Sequence, residues 1–400
     1  MKSPRPQFHV GERLTVSIEK IAHGGHFIAR HEGQVFFVRH AIPGESVEIE
    51  ITGTGSSFLR ADVVKVITPS PDRVSPPCSY SRADGCGGCD FQHISIVRQR
   101  QLKGDVIREQ FSRIAKMEIE IEVEEVGSPL HWRTRISSAT NNRGEIGFYA
   151  SRSHSVVPVK DCLIAAESIK FPELAKRTWP RESRIEISAS SEGIRSVAIA
   201  PAGRGSKSRL TEGPQVLTEM IAGHSVEVSQ RSFWQSHDLA PEILTQAVGE
   251  DVREGDHLLD LYGGVGLFTA ALLDRVGAHG HIDLVESSQS ATADARRNFA
   301  NFPNVSIITG DVLKELSRIS RADVVLLDPP REGAGKETVA AIVDLRPRSI
   351  LYVACDPAAL ARDTAYLAEI GYEMASLRAF DLFPMTHHVE CVARFEPFQK

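Results

Sequence analysis

HLLDLYGGVGLF, residues 257–268, is an apolar run that breaks into a glycine-rich turn and resumes with helical spacing. Four more apolar runs follow, each parted from the last by helix-like sequence: HIDLVE (281–286), VSIITGD (305–311), VVLLDPP (324–330) and SILYVAC (349–355). Strands that alternate with helices build βαβ units, and such units build a mainly parallel sheet covered on both faces. The C-terminal region, residues 231–400, is therefore read as α/β. In sheets of this kind ligands bind beyond the carboxyl ends of the strands, so the polar groups that close these runs share one edge.

Working toward the N-terminus, the pattern changes. From Leu14 to Ile67, short alternating runs (LTVSI, FIA, VFFV, VEIEI, VVKVI) are separated by HGGH, HEGQ, IPGE and TGTGSS. Short strands between glycine turns predict a small closed all-β barrel over residues 8–68, because closure removes exposed strand edges. TPSPDRVSPP, with four prolines in ten residues, reads as a linker. Residues 69–230 form a third, α+β, unit. It contains a cysteine cluster, a basic helical stretch (ISIVRQRQLKGDVIREQFSRI) and further strand-like pieces.

Composition narrows the functional classes. A chain of 400 residues with 42% hydrophobic side chains can bury several cores. The opening MKSPRPQFHV has no apolar leader segment, and no run approaches the ~18 apolar residues of a membrane span. A cytoplasmic protein without membrane association is expected. The net charge of −6 is unevenly spread. Residues 236–400 hold 15 Lys and Arg against 25 Asp and Glu, leaving 31 against 27 in residues 1–235. A basic N-terminal part beside an acidic catalytic part permits a polyanionic partner, though ordinary charge scatter produces the same split. Six cysteines in a reducing compartment are not expected to form structural disulfides. Cys78, Cys86 and Cys89 with Cys162 supply four thiolates, enough for tetrahedral zinc or an iron–sulfur cluster, and the spacing alone slightly favours zinc.

At the shared edge, Asp260-Leu-Tyr-Gly-Gly-Val-Gly266 is a ligand loop, but not the spaced G-x-G-x-x-G of dinucleotide sites. Glu286 ends the next strand, where a carboxylate can accept from both ribose hydroxyls of a nucleoside. Asp311 follows the third strand and either accepts from an adenine amine or caps a turn. Together these strand ends resemble class I S-adenosylmethionine-dependent methyltransferases, with a nicotinamide-binding fold as the alternative. Asp328 and two prolines follow the fourth strand, and Arg331 stands where amine methyltransferases carry a stacking aromatic. Cys355 ends the fifth. A thiolate adding to carbon 6 of uracil places electron density on carbon 5, which then attacks a sulfonium methyl. A base must next remove the carbon 5 proton, and Glu390 is the carboxylate read in that role. Cys391, adjacent in an alternating strand, points away and packs. His387 and His388 are read as structural histidines, and Arg133 and Arg135 as phosphate contacts or a solvated face.

CGGCDFQHIS, FWQSH, DLYGGVGLF, LLDPPREG, YVACDPAALARD and FPMTHHVECV together resemble the RNA uracil-5-methyltransferase family, across nearly the whole chain. The resemblance implies a Rossmann-like class I domain behind a TRAM (OB-like) RNA-binding barrel. It implies S-adenosylmethionine held by Gln235, Tyr262, Glu286 and Asp328 with Asp311 beside it, Cys355 as nucleophile and Glu390 as base. It turns the four cysteines toward a [4Fe-4S] cluster, zinc being the alternative, and implies ribosomal or transfer RNA as the partner of a monomer with no obligate protein partner. Three positions depart from the family pattern: Asp356 stands for Asn, Met385 for Gln and His237 for Asn. A cytosine-5 RNA methyltransferase and a non-catalytic RNA-binding protein are the competing readings.

Overall fold

The computed structural model describes residues 8–55, 57–201 and 207–398, so the leader reading of the first residues falls mostly outside it. Five strands, β1 Arg13–Ala22, β2 His26–His31, β3 Gln34–Arg39, β4 Ser46–Thr54 and β5 Leu59–Thr68, close into a barrel in the order β1-β2-β3-β5-β4. Alternation does the work: Val47, Ile49 and Ile51 of β4 turn inward to meet Phe27, Phe36 and Val38. The proline-rich linker is not a free tether. Arg73 forks onto the fully buried Glu45 carboxylate at 2.6 and 2.7 Å and also donates to the His40 carbonyl. A bidentate pair of this kind fixes orientation as well as position.

Helix α1 (Ile96–Gln110) continues into a wider turn at Phe111–Ala115 and leads to the short strand β6 (Val123–Glu124). Its two sides serve two cores. Leu102 and Val106 pack with the barrel, whereas Ile107 and Phe111 pack with the C-terminal sheet. Then come β7 Arg135–Thr140, β8 Ile146–Tyr149, β9 Val156–Pro158, the short helix α2 Phe171–Ala175, β10 Ser183–Ala189, β11 Arg195–Pro201 and β12 Arg209–Glu212. These six strands make one sheet, β12-β11-β10-β7-β8-β9, with its own core around Ile185, Ile187 and Phe171. A hairpin, β13 Val216–Ile221 and β14 His224–Ser229, packs instead with the C-terminal core. Residues 69–230 thus divide among several cores, because α1 and the hairpin each bury apolar faces against neighbours.

The last region contains α3 Ala240–Gly249, β15 His257–Leu261, α4 Leu267–Val276, β16 His281–Glu286, α5 Gln289–Asn298, β17 Val305–Thr309 and α6 Val312–Leu316. It ends with β18 Val324–Leu327, α7 Gly335–Asp344, β19 Ser349–Ala354, α8 Pro357–Glu369, β20 Tyr372–Phe380 and β21 Glu390–Pro397. The sheet runs β17-β16-β15-β18-β19-β21-β20-β6, parallel as far as β19, with β21 antiparallel to β19. Every residue of β18 and β19 is buried, as strands covered on both faces require. The chain leaves β15 toward β16 and β17, then returns to β18 on the other side. That reversal opens a crevice between the ends of β15 and β18. Among the described residues no helix is long and apolar enough to cross a membrane.

Candidate active site

The loop after β15 owes its glycines to packing more than to a ligand. A Cβ on Gly266 (φ +97°) would lie 2.2 Å from the Phe299 ring, and one on Gly263 would lie 2.6 Å from Leu284. Gly264 has open space, but its φ of +58° is left-handed, as is that of Tyr262 at +60°. That twist sends the Gly264 N–H to a Glu286 carboxylate oxygen at 3.2 Å, while the Ser288 N–H donates to the other at 2.6 Å. Glu286 therefore ties the glycine loop to the start of α5. Asp260, buried beneath, accepts from the Thr269 hydroxyl at 2.7 Å, and its second oxygen has no partner. Burial pushes its carboxyl up to about 7. Asp328 follows β18 with its N–H on the Leu261 carbonyl at 3.3 Å, and burial together with Asp260 pushes it up to about 7 as well.

Two of the sequence-predicted cofactor residues sit differently. Asp311 is exposed and caps α6, accepting from the Lys314 N–H at 3.2 Å, yet its charge is felt at Tyr262. Gln235 lines a cavity of about 1000 Å³ between the central sheet and α3, and Tyr262, Glu286, Asp311 and Asp328 do not line that cavity. In the same wall His237 stacks on Trp132 at 5.4 Å and accepts the Leu239 N–H at 3.0 Å.

The second half of the site comes from the β19–β21 pair. Ala354 is registered opposite Cys391, so Cys355 and Glu390 face each other one step along. Cys391 is buried in the core. Burial, then the Glu390 and Asp328 charges, push the Cys355 thiol up to about 12. Glu390 is buried too, and burial with Asp328 lifts it well above the carboxylate range, with Arg331 opposing. Cys355 opens on a cavity of about 170 Å³, room for one small planar ring, whose walls include Lys103, Arg331, His387, His388 and His23.

Several of these groups were not visible as site residues in the sequence. Lys103 is buried, 2.5 Å from Asp381 and 3.0 Å from the Phe383 carbonyl; on a helix rich in charges it reads as surface. His387 hydrogen-bonds Asp90 at 2.7 Å, so it is structural and wall-forming at once. Burial lowers His388 to about 3, leaving it neutral to accept from Arg331 at 3.3 Å. Met385 is explained by α1: Gln99 accepts the Met385 N–H at 2.9 Å and donates to its sulfur at 3.5 Å.

The four clustered cysteines converge on a cavity of about 200 Å³ shared with Gln92, Arg133 and Phe148. Burial raises Cys89 to about 12 and Cys162 to about 11, and the mutual repulsion of neighbouring thiolates adds to both. Backbone N–H groups of Ile164 and Ala165 donate to Cys162, and that of Gly88 to Cys86 at 3.4 Å. Among the described residues no three of these sulfurs lie within 4.8 Å of one another. Arg133 and Arg135 do not form a solvated face. Both are largely buried, Arg133 beside the cysteines and Arg135 on the Ser232 carbonyl at 3.0 Å.

Comparison with known proteins adds an independent line. A model of the TRAM domain matches residues 7–64, and a model described as tRNA (Uracil-5-)-methyltransferase matches residues 192–396. A Streptomyces avermitilis protein described as an uncharacterized RNA methyltransferase is 43% identical over 98% of this chain and all of its own. The 23S rRNA (uracil(1939)-C(5))-methyltransferase RlmD of Shewanella amazonensis is 31% identical over 98% of each chain. The solved structure of Pyrococcus abyssi tRNA (uracil-54, C5)-methyltransferase in complex with S-adenosyl-L-homocysteine superposes with a TM-score of 0.71. It covers 95% of this chain and 99% of that one at 22% identity, a likeness of fold.

Proposed function

The chain belongs to the tRNA (uracil-5-)-methyltransferase family of S-adenosylmethionine-dependent RNA enzymes, and from that premise we propose that it makes 5-methyluridine with Cys355 as nucleophile and Glu390 as base. The observation that carries the roles is the β19–β21 register, which sets the Glu390 carboxyl beside a thiol that opens on a base-sized cavity. S-adenosylmethionine supplies an electrophilic methyl on a positively charged sulfur. Tyr262, Glu286 and Asp328 around the crevice are the groups assigned to hold it, with Asp311 beside Tyr262 and Gln235 reaching from the neighbouring cavity. The unpaired Asp260 oxygen and the raised Asp328 show a crevice with excess acceptor capacity, which suits a cationic ligand.

Cys355 gives its proton to solvent and its sulfur bonds carbon 6 of the uracil; the ring electrons move to carbon 5, which takes the methyl as that group's bond to the sulfonium sulfur breaks. Glu390 then removes the carbon 5 proton, and the sulfur–carbon 6 bond breaks to restore the ring. Burial keeps the Cys355 thiol protonated near neutrality and raises the Glu390 carboxyl, so ionisation of both is opposed by their surroundings. Nearby positive charge is therefore required to start the reaction, and Arg331 is the chain's own contribution. One relative acts on 23S ribosomal RNA and one structural neighbour on transfer RNA, so both classes belong to the proposal. Methyl-labelled cofactor with each RNA, followed by digestion to nucleosides, should give label in 5-methyluridine. Label in 5-methylcytidine would overturn the uracil assignment, and label in no RNA would favour a binding protein.

For the four cysteines we assign a [4Fe-4S] cluster. Tetrahedral zinc, with Zn–S near 2.3 Å, draws sulfurs to about 3.8 Å from one another. Here they stand wider around a cavity, with backbone donors on two of them. Iron and acid-labile sulfide are expected on analysis of protein purified without air; stoichiometric zinc without sulfide would sink the assignment.

A further inference from the structure

We propose that His23, on the turn between β1 and β2 of the barrel, is a positioning residue for the nucleophile, so that the barrel completes the catalytic pocket as well as meeting RNA. The inference rests on Cys355 as nucleophile. Ile21, His23, Gly24 and Gly25 form one wall of the same 170 Å³ cavity onto which Cys355, Arg331 and Asp356 open. The turn is seated there by fit. Gly25 has φ +76°, and a Cβ on it would lie 2.7 Å from His387, itself held by Asp90. Outside the turn, Lys20 of β1 pairs with Glu109 of α1 at 2.6 Å, and Phe27 of the barrel packs on Phe91.

The contact that matters is between His23 and Asp356. The imidazole Nε2 lies 3.1 Å from one Asp356 oxygen, while the other accepts the Ala358 and Ala359 N–H groups at 2.9 and 3.0 Å. Burial acts to raise Asp356, but these donors outweigh it and hold the carboxyl below its ordinary value, so it is an anion and His23 must donate. An anion next to Cys355 opposes thiolate formation. The family's Asn at this position would bring no such charge, and it would need no such partner. The departure at residue 356 therefore has its counterpart in the barrel, 333 residues away in sequence.

The test is a double-mutant cycle with His23→Ala and Asp356→Asn, read at saturating RNA so that tethering by the barrel drops out. His23→Ala should slow single-turnover methyl transfer about tenfold, the low end for a hydrogen bond to a charged group, since the histidine side chain is 41% exposed. In the Asp356→Asn background the same change should cost less than about twofold. Alkylation of Cys355 by iodoacetamide, followed on its own peptide, should slow and shift to higher pH in His23→Ala but not in the double variant. Equal cost in both backgrounds, or a defect in KM for RNA alone, would overturn the proposal. Cys355→Ala separates the premise: residual methyl transfer there defeats the nucleophile itself, whereas a dead Cys355→Ala with no coupling defeats only the role of His23.

Discussion

Two pockets in this molecule are built on cysteines whose thiols burial raises to nearly the same degree, about 12 for Cys89 and about 12 for Cys355, yet their surroundings differ in kind. Around Cys89 the neighbours are other sulfurs, backbone N–H groups and an arginine that is itself buried. Around Cys355 they are carboxyls on one side and Arg331 with three histidines on the other, at the mouth of a cavity. The first pocket has several soft donors, and its carboxyl, Asp161, is taken up by the Cys162 N–H at 2.8 Å; the second has one soft nucleophile and an adjacent carboxyl that raises it. Burial alone thus tells nothing of a cysteine's chemistry. What separates ligand from nucleophile is whether the next group is another thiolate or a proton acceptor.

The comparison breaks most sharply if one thiol can be exchanged for the role of the other. Cys355→Ala should lower methyl transfer by roughly four orders of magnitude, as removal of a reacting nucleophile does elsewhere, and leave iron and sulfide content unchanged. Cys89→Ser should do the reverse, stripping the cluster and lowering Tm by several degrees, because a bound group's free energy is also folding free energy. Metal loss in the first variant, or a full metal complement in the second, would abolish the distinction.

Glu390→Gln sharpens the second pocket alone. Without a base to take the carbon 5 proton, the ring stays bonded to sulfur. Turnover should fall about 10³-fold while a covalent RNA adduct accumulates on a denaturing gel. A fall in turnover with no adduct would move the carboxyl's role ahead of methyl transfer.

How much of this was legible follows from what kind of contact each feature is. The α/β order, the barrel and the pairing of Cys355 with Glu390 ride on local periodicity and on motifs, so the chain itself displays them. The turn of His23 onto Asp356 carries no local signal, since its partners are brought together only by docking of two cores. Lys103 and Arg133 were hidden for another reason. Burial of one cation in a charged stretch depends on what it meets: Asp381, 278 residues away, for the lysine, and the cysteine pocket beside the nearby Arg135 carbonyl for the arginine. In the linker the prolines were visible but the Arg73–Glu45 fork was not. Composition reports what a segment cannot do locally; it is silent on what pins it from elsewhere.

The smallest effect tests the acidic side of the comparison without touching a reacting atom. Asp260 has its carboxyl raised from 3.8 to about 7 by burial, so the native state keeps a proton that the unfolded chain releases. Its contribution to stability is full below about pH 3.8 and is lost as pH rises through 7. Asp260→Asn keeps an oxygen for the Thr269 hydroxyl and cannot ionise. The parent should therefore lose stability relative to the variant between pH 5 and pH 8, by up to about 3 kcal/mol at ~1.4 per unit of pH below the folded value. Urea midpoints of the two proteins at the two pH values measure it. A difference independent of pH would mean that Asp260 is ionised in the folded protein, and the crevice would then carry a fixed negative charge beneath the glycine loop.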